Sequence, residues 1–556
     1  MKDMKTKSIK YFLMAGMVSC GMAAGLTACS EWNDHYEGTA DAGGAGGTLW
    51  QQMKANPQLS DFCEVMEQTK VYRMHKKTPV SYADLLNSGQ SFTVIAPVNG
   101  SFDKDALLQR VQTVSGDSAV EKSFAQNHIS RSLVSSTSNQ AKLLMLNQKH
   151  LYMENGKIDD VSVLTPNTRT SNGVMHIVDK ALSYKHNLYE LLCDDPGLSA
   201  IGDNLKRFNE DVFDPDASVS NGVVDGVPVY VDSVVYERNR LMEAIGYLYV
   251  EDSTYMVVAP TAAGWNEAYS EVSNYYRYDE SIDKRDSLQQ YYTMRALMED
   301  AVFNKTDQKD INDSLLSVPY INTVHTYEKG KPVYHVFRKP FAPGGILYGA
   351  QARECSNGIM YTMDKWPFDP TETFFKEIYV EGEETYLLLD YTKCNYNVRI
   401  ANADTISNNK YLRIAPVKAT DNWTATFQIN NTLSGSYDVY AILLPKTVEN
   451  PNETKLRPCK FKATINYMDD KGKAAKFDCV NEADKKTEFK SDPLRVDTVL
   501  LARGFQFPAC NYGQSNSNIN IKIQCSITSS QNAQYSRDMF LDCIYLRPRT
   551  SKSEEQ

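Results

Sequence analysis

Catalytic motifs are absent from this sequence. It has only eight histidines among 556 residues, and none belongs to a His-Glu-x-x-His motif. A Gly-x-Ser-x-Gly nucleophile turn and a Gly-x-x-x-x-Gly-Lys-Ser/Thr phosphate loop are also missing. We therefore predict that the protein is not an enzyme and needs no cofactor. The absence argues in particular against a polysaccharide-processing enzyme, because no acid/base pair stands out.

Basic clusters, long apolar runs and paired cysteines are scarce too. The 59 basic residues oppose 69 acidic ones and are concentrated nowhere, so a nucleic-acid-binding surface is excluded. No segment after residue 25 is apolar enough to span a bilayer. None of the eleven cysteines forms a Cys-x-x-Cys pair, so we predict no zinc site. Because Cys525 and Cys543 occupy apolar positions of strand-like runs, we expect mostly free thiols.

The first 28 residues have the pattern of a secretion signal. Several lysines precede an uncharged apolar stretch, which is followed by Leu-Thr-Ala-Cys, ending at Cys29. These four residues resemble the bacterial lipobox, whose cysteine is acylated and becomes the new N-terminus. The resemblance implies that residues 1–28 are removed and that acyl chains such as palmitate on Cys29 anchor the protein in a membrane. An ordinary signal peptide with an incidental Cys29 is the alternative.

Residues 29–47 are rich in glycine and are predicted to be a flexible tether. The acidic residues Glu31 and Asp34 resemble the export signal of Bacteroidetes lipoproteins. That resemblance implies an outer-membrane lipoprotein that faces the cell exterior. At the other end, residues 550–556 form a polar tail.

After the tether the chain repeats itself at a constant offset of 139 residues. Leu49 recurs as Leu188, and Pro57 recurs as Pro196. In both copies the apolar residues have helical spacing on either side of the proline, which predicts two short helices at the start of each copy. We therefore predict two homologous domains in tandem.

Each copy continues with an apolar, β-branched run that predicts a buried strand. Pro97 and Pro260 end these runs, since proline has no N–H for a strand ladder. We expect Asn99 in the first copy and Thr261 in the second to cap the helix that follows.

An Asn-Gly pair closes each copy and precedes a second apolar run. The pairs are Asn172-Gly173 and Asn357-Gly358. Asn-Gly favours a tight turn, and the run after it is predicted to be a strand that pairs with the first one.

These stretches resemble the two signatures of the fasciclin domain. The first copy reads T-V-I-A-P-V-N-G-S-F and N-G-V-M-H-I-V-D, and Asn-His-Ile around His128 resembles the box between them. The resemblance implies two α/β modules, residues 48–184 and 185–371, each a β-sandwich wedge with a helical cap. It also implies that His128 and His176 have structural roles, linking helix to strand by hydrogen bonds. A metal pair formed by these two histidines is the alternative.

The second copy departs from the family pattern. Ala262 stands where the family prefers Asn or Asp, and Tyr361 stands where it prefers His. An additional stretch, residues 274–285, contains three tyrosines and is predicted to be a long excursion with a functional surface.

Residues 372–549 change to a period of two. Trp423, Ala425 and Phe427 alternate with polar residues, and Lys- and Asn-rich turns separate such runs, which predicts an antiparallel β-sandwich. Residues 435–440 and 541–548 resemble galactose-binding-like jelly rolls, as in carbohydrate-binding modules. The predicted fold class is therefore α+β, two fasciclin-like modules followed by a jelly roll. Trp423, Tyr391 and Tyr396 are candidate ligand-binding aromatics, with a core position as the alternative for Trp423.

The resemblances together imply a binding role. The first hypothesis is an accessory lipoprotein of a starch-utilisation-type importer, partnered by a TonB-dependent β-barrel and its lid lipoprotein. In this hypothesis the fasciclin pair docks and the C-terminal sandwich faces a glycan or peptide ligand. The rival hypothesis is an adhesin that contacts host matrix or neighbouring cells.

Overall fold

The computed structural model describes most of the chain after the tether. The described residues are 46–73, 76–135, 140–224, 227–319, 327–328, 331–332, 334–401, 406–514 and 518–550. The predicted signal sequence and the lipobox-like residues, including Cys29, lie outside these residues, as do most of the predicted tether and residues 551–556. Two compact units are present, the first up to Tyr184 and the second from Lys185 onwards. Among the described helices, none has the length and apolar character needed to cross a bilayer.

The first unit combines five short helices with a seven-stranded sheet of order β4-β3-β9-β8-β7-β6-β5 and a separate β1–β2 hairpin. Its helices are α1 (Leu49–Ala55), α2 (Ser60–Gln68), α3 (Tyr82–Leu86), α4 (Lys104–Arg110) and α5 (Val114–Val120). Its strands are β1 (Lys70–Arg73), β2 (Lys76–Ser81), β3 (Phe92–Pro97), β4 (Ile129–Ser130), β5 (Ala141–Leu144), β6 (His150–Glu154), β7 (Lys157–Ile158), β8 (Val161–Thr170) and β9 (Gly173–Val178).

Strand β3, which lies between β4 and β9, is buried along its whole length. It pairs in parallel with β9, so the two predicted strands do pair. Because side chains alternate across a strand, Val94 packs in one core cluster with the helices, whereas Ile95 packs in a second cluster with β5–β8.

The second unit begins with the same arrangement. Its four-stranded sheet has the order β13-β12-β19-β18, which corresponds to β4-β3-β9-β8. The helices are α6 (Leu188–Asp194), α7 (Ser199–Lys206), α8 (Met242–Ile245), α9 (Ala262–Tyr275) and α10 (Arg285–Glu299). The strands are β10 (Asn209–Val224), β11 (Val227–Asn239), β12 (Tyr255–Pro260), β13 (Val302–Asn304), β14 (Ser314–Leu316), β15 (Tyr327–Glu328), β16 (Lys331–Pro332), β17 (Val336–Arg338), β18 (Gln351–Cys355) and β19 (Gly358–Met363).

The two glycines of the Asn-Gly pairs occupy equivalent sites. A Cβ on Gly173 would lie 2.1 Å from the Phe92 carbonyl oxygen, and a Cβ on Gly358 would lie 2.0 Å from the Tyr255 carbonyl oxygen. Only glycine allows the second strand to approach the first so closely. The predicted pseudo-repeat is therefore present.

A long two-stranded ribbon, β10–β11, was not predicted. It lies between α7 and α8, where the first unit has the shorter β1–β2 hairpin between α2 and α3. The second copy therefore differs from the first by a lengthened hairpin at this position.

The C-terminal region consists of two six-stranded antiparallel sheets. One contains β20, β22, β23, β25, β29 and β31, and the other contains β21, β24, β26, β27, β28 and β30. The strands are β20 (Ile378–Glu381), β21 (Leu388–Thr392), β22 (Cys394–Ile400), β23 (Lys410–Pro416), β24 (Thr424–Gln428), β25 (Ser436–Leu443), β26 (Lys460–Met468), β27 (Ala474–Asp478), β28 (Phe489–Lys490), β29 (Asp497–Gln506), β30 (Asn520–Cys525) and β31 (Met539–Arg549). The predicted fold class is confirmed, with mixed α/β modules followed by an antiparallel β-sandwich.

The sandwich and the second α/β region share one core. A single cluster of buried apolar side chains extends from Leu188 through Trp265 and Tyr276 to Leu546. Residues 185–371 and 372–549, expected to be separate domains, therefore form one compact unit.

Candidate binding site

Trp423 is a core residue and is not available to a ligand. Its side chain is 0 % exposed, and its Nε1 donates a hydrogen bond to the Arg537 carbonyl oxygen at 2.7 Å. The indole lies just before β24, in the cluster that fills the space between the two sheets. The alternative, a core position, is therefore correct for Trp423, and it is not a ligand-binding residue.

Tyr391 and Tyr396 are in contact at the edges of the two sheets. Tyr391 lies on β21 and Tyr396 on β22, and the turn between these strands places Lys393 in the left-handed region, with φ of 58°. Their ring centroids are 4.9 Å apart in an edge-to-face arrangement. Tyr391 is 48 % exposed, and Tyr396 is half-buried.

Three further apolar side chains are exposed on the same two strands. Leu389 lies two residues from Tyr391 on β21, so the two side chains share one face of that strand. Val398 and Ile400 likewise share a face of β22 with Tyr396. Ile400 is 76 % exposed. We call these five residues the edge surface. Exposed apolar and aromatic side chains that lie together are typical of binding surfaces, so the edge surface is the candidate site. Two of its residues, Tyr391 and Tyr396, are candidates predicted from the sequence.

Asn99 caps a different helix from the one expected. Its Oδ1 accepts a hydrogen bond from the Asp61 N–H at 3.0 Å, in the first turn of α2, and its Nδ2 donates to the Pro57 carbonyl at 2.8 Å. The helix after Asn99 is capped by Asp103 instead. Asn99 therefore ties the β3–α4 turn back to an earlier helix. Thr261 does cap the following helix, α9, because its Oγ1 accepts a hydrogen bond from the Gly264 N–H at 3.4 Å.

His128 is fully buried and makes two hydrogen bonds. Nδ1 donates to the Phe124 carbonyl at 2.8 Å, and Nε2 accepts from the Leu182 N–H at 3.0 Å. Burial lowers the pKa of His128 to about 4, so the ring is neutral at pH 7. The ring joins the helical layer to the chain that follows β9.

His176 is also fully buried, on β9. Nε2 donates to the Val134 carbonyl at 2.9 Å, and Nδ1 accepts from the Asn167 N–H at 3.4 Å. Burial lowers the pKa of His176 as well. Both nitrogens of each histidine are therefore used within the protein. In the described part of the chain, no group of three potential metal-ligating side chains comes together.

The nine cysteines in the described residues are all free thiols, and seven of them are buried. Cys525 and Cys543 are among the buried ones. Burial raises the pKa of Cys525 to about 11, so this thiol stays protonated and unreactive at pH 7.

The inserted tyrosines of the second copy are buried against the sandwich. Tyr276 is 2 % exposed and Tyr278 is 7 % exposed, and the Tyr278 hydroxyl donates to the Tyr512 carbonyl at 2.8 Å. The rings of Tyr276 and Tyr512 pack edge to face at 5.7 Å. The predicted exposed excursion is therefore wrong for these two residues, which join the α/β region to the sandwich.

Three carboxyl groups lie close together where β20 meets β31. Burial, reinforced by the neighbouring Glu383 and Asp542, raises the pKa of Glu381 to about 7, although a hydrogen bond from the Ser407 hydroxyl opposes the shift. Burial and Glu383 raise the pKa of Asp542 to about 6. No sequence pattern points to this cluster, because its members come from opposite ends of the sandwich.

Comparison with known proteins gives one family match, to the fasciclin domain, over residues 66–184. No curated protein matches the chain. Among solved structures, the FAS1 domain pair from the insect cell adhesion molecule Fasciclin I is similar at 13 % identity, over 51 % of this chain and 90 % of that chain, with a TM-score of 0.17.

Modules of xylan-degrading enzymes are similar to another part of the chain. The CBM22-1–GH10 modules of Clostridium thermocellum xylanase 10B, in complex with xylohexaose, match at 8 % identity and a TM-score of 0.20, over 32 % of this chain and only 28 % of that chain. The CBM22-1 xylan-binding domain of Paenibacillus barcinonensis Xyn10C matches at 8 % identity and a TM-score of 0.19, over 31 % of this chain and 93 % of that one. Because all these TM-scores are below 0.5, no conclusion about function follows from them. The family match is confined to residues 66–184 of the first unit, which are similar to the fasciclin domain.

Proposed function

We propose that the protein is a surface-exposed outer-membrane lipoprotein that acts as a non-enzymatic accessory subunit of a starch-utilisation-type nutrient importer. The edge surface is the observation that carries the binding role, because Tyr391 and Ile400 are exposed on the edge strands of the two sheets. The lipobox-like sequence at Cys29 supports the anchor. The absence of catalytic motifs supports a role without turnover.

In this proposal the two units have different tasks. The first unit follows the tether directly, so it lies nearest to the anchor along the chain and is the contact for the β-barrel. Its exposed apolar side chains include Tyr152 on β6 and Leu164 on β8, which are 53 % and 56 % exposed. The sandwich, with its edge surface, faces a glycan or peptide.

Copurification tests the proposal. The full chain, extracted from membranes with mild detergent, should bring with it a β-barrel and its lid lipoprotein. Replacing both Tyr152 and Leu164 with Asp should reduce the recovered barrel, whereas Tyr391→Asp should not. Deleting the sandwich is unsuitable, because that would open the core that it shares with the α/β region.

A Cys29→Ala variant supplies the matched control for the anchor, since it should carry no acyl chains and remain uncleaved. Recovery of the native protein without a barrel, but bound to matrix proteins or to neighbouring cells, would favour the adhesin instead. Hydrolysis of a polysaccharide that survives purification and is lost on one polar substitution would show that the protein is an enzyme.

A further inference from the structure

The second unit contains an open groove where its α/β region meets the sandwich. Helix α9 forms one wall, with Glu267 and Glu271, and the start of β25 forms the opposite wall, with Ser436. Lys365, Trp366, Phe368, Asp369 and Pro370 also line the groove. The groove has a volume of about 510 Å³, and sites for small ligands range from about 300 to 1,000 Å³.

Two fixed aromatic rings line the groove. Trp366 is half-buried, and its Nε1 donates to the Leu297 carbonyl at 3.2 Å, which sets the orientation of the indole. Tyr275 packs against Phe375, with ring centroids 4.8 Å apart. Rings held in this way offer apolar contact without losing rotamer freedom on binding.

The polar groups around these rings carry both signs of charge. Glu267, Glu271 and Asp369 carry negative charge, and Lys365 and Arg549 carry positive charge, although the Arg549 guanidinium also lies 3.4 Å from the Asp438 carboxylate. Because both signs are present, the groove favours neither a polyanion nor a polycation. Gln506 Nε2 donates to the Phe507 carbonyl at 3.1 Å, so the amide offers a ligand one further N–H and its oxygen.

We propose that this groove binds a neutral oligosaccharide made of pyranose units. A pyranose ring has an apolar C–H face, which fits Trp366 and Tyr275, and equatorial hydroxyls, which both donate and accept hydrogen bonds. The carboxylates of Glu267 and Glu271 accept from such hydroxyls, and the Gln506 amide completes the pattern.

A peptide fits less well, because the strand in the wall has no free edge. Ser436 on β25 pairs with Gln506 of β29 on one side and with Arg549 of β31 on the other. Extended peptides obtain affinity from main-chain hydrogen bonds to an unpaired strand. The wall therefore offers only side chains to a ligand, and the hydroxyls of a sugar can form hydrogen bonds with these.

The groove is held open by the contacts of the junction. Ser434 N–H donates to the Tyr275 carbonyl at 2.8 Å, and the Arg277 guanidinium donates to the Ser434 hydroxyl at 3.3 Å. These bonds fix one wall relative to the other before any ligand arrives.

The inference rests on the binding role proposed above and adds to it a second site, the groove, with its own ligand class. Its test is independent of any importer. Purified full-length protein is titrated with cellohexaose, xylohexaose and maltohexaose, by calorimetry and by tryptophan fluorescence. Trp265 and Trp423 are 1 % and 0 % exposed, so Trp366 is the reporter in the second unit. At least one hexasaccharide should bind with a micromolar to millimolar Kd and shift the emission, and Trp366→Phe should abolish the shift.

Two variants of polar lining residues test the site without changing the aromatic rings. Glu271→Ala and Gln506→Ala should each raise the Kd about tenfold, the effect of losing about 1.4 kcal/mol of hydrogen bonding. The matched controls, Glu354→Ala and Gln524→Ala, replace exposed residues on β18 and β30 outside the groove and should leave the Kd unchanged.

Three outcomes would overturn the inference. The first is that none of the three hexasaccharides binds. The second is that binding persists in Glu271→Ala and Gln506→Ala and is lost in Tyr391→Ala, which would move the site to the edge surface. The third is that the peptide Ala-Lys-Ala-Lys-Ala binds and is lost in Glu271→Ala while the sugars do not bind. Copurification with a barrel would be unaffected in every case, so the proposed function is tested separately.

Discussion

Asn172 and Asn357 make the same three hydrogen bonds in the two units. The Oδ1 atom of each accepts from the first N–H of a helix, that of Leu49 at 2.6 Å and that of Leu188 at 2.9 Å. The Nδ2 atom of each donates to two loop carbonyls, those of Leu86 and Ser88 in the first unit and of Leu248 and Val250 in the second. One side chain thus ties the start of each unit to the turn before its last central strand.

The first prediction concerns these two asparagines. Asn172→Ala should lower the free energy of unfolding of the first unit by about 1–3 kcal/mol, because a buried N–H and two carbonyls lose their partner. Asn357→Ala should have the same effect on the second unit. Denaturant unfolding measures both, with Gln109→Ala on the exposed side of α4 as a neutral control. Equal stability of Asn172→Ala and the control would contradict the structural role of the amide.

The repeat could be predicted from the sequence because its anchors act locally. Pro97 and Pro260 end buried strands, and the Asn-Gly pairs need a specific turn whatever surrounds them. The alternation in residues 372–549 likewise predicts a sheet with one buried face. Local rules of this kind apply even when the residues that pack against these elements are unknown.

The contact between the α/β region of the second unit and the sandwich could not be predicted, because burial of the inserted tyrosines depends on a distant part of the chain. Tyr278 bonds to Tyr512, which is 234 residues away along the chain. Residues 274–285 are an addition relative to the first copy, which predicted an excursion with a functional surface, and only the sandwich makes a buried site for these tyrosines. The ligand-binding candidates could not be sorted from the sequence for the same reason. Alternation places Trp423 in a strand, but only packing decides whether its side chain faces the core or the solvent.

The second prediction is a loss of stability of the first unit in acid. The pKa of His128 is about 4 in the folded state, below its ordinary value of 6.5. Between these two values the unfolded chain binds more protons than the folded one, so stability should fall as the pH drops from about 6.5 towards 4. The slope of unfolding free energy against pH should be smaller in His128→Gln than in the natural protein. An unchanged slope would show that His128 is not the titrating group.

The third prediction has the opposite sign and concerns the sandwich. The pKa of Glu381 is raised to about 7, so the folded state holds a proton that the unfolded state has released. The contribution of Glu381 to the stability of the second unit should therefore be fully present below about pH 4.5. It should be lost as the pH rises through about 7. Solvent screening reduces the full effect of the shift, so we expect a loss of about 1–2 kcal/mol between about pH 5 and pH 8. Glu381→Gln should remove this loss, and Glu354→Gln should not.

The last prediction concerns the shared core of the second unit. Because Tyr276 packs between the α/β region and the sandwich, these two parts should unfold together, and calorimetry should show two transitions for the whole protein rather than three. Tyr276→Ala leaves a cavity at this contact and should destabilise the second unit by about 3–5 kcal/mol. The transition of the first unit should not move.

Tyr278→Phe gives a milder test of the same contact. It keeps the ring but removes the hydroxyl that donates to the Tyr512 carbonyl, so it should cost about 1–2 kcal/mol in the second unit alone. Tyr152→Phe, at an exposed position of the first unit, is the matched control and should change neither transition. If the sandwich already unfolds apart from the α/β region in the natural protein, the junction does not couple them. The groove between them would then lack the rigid walls that its proposed ligand requires.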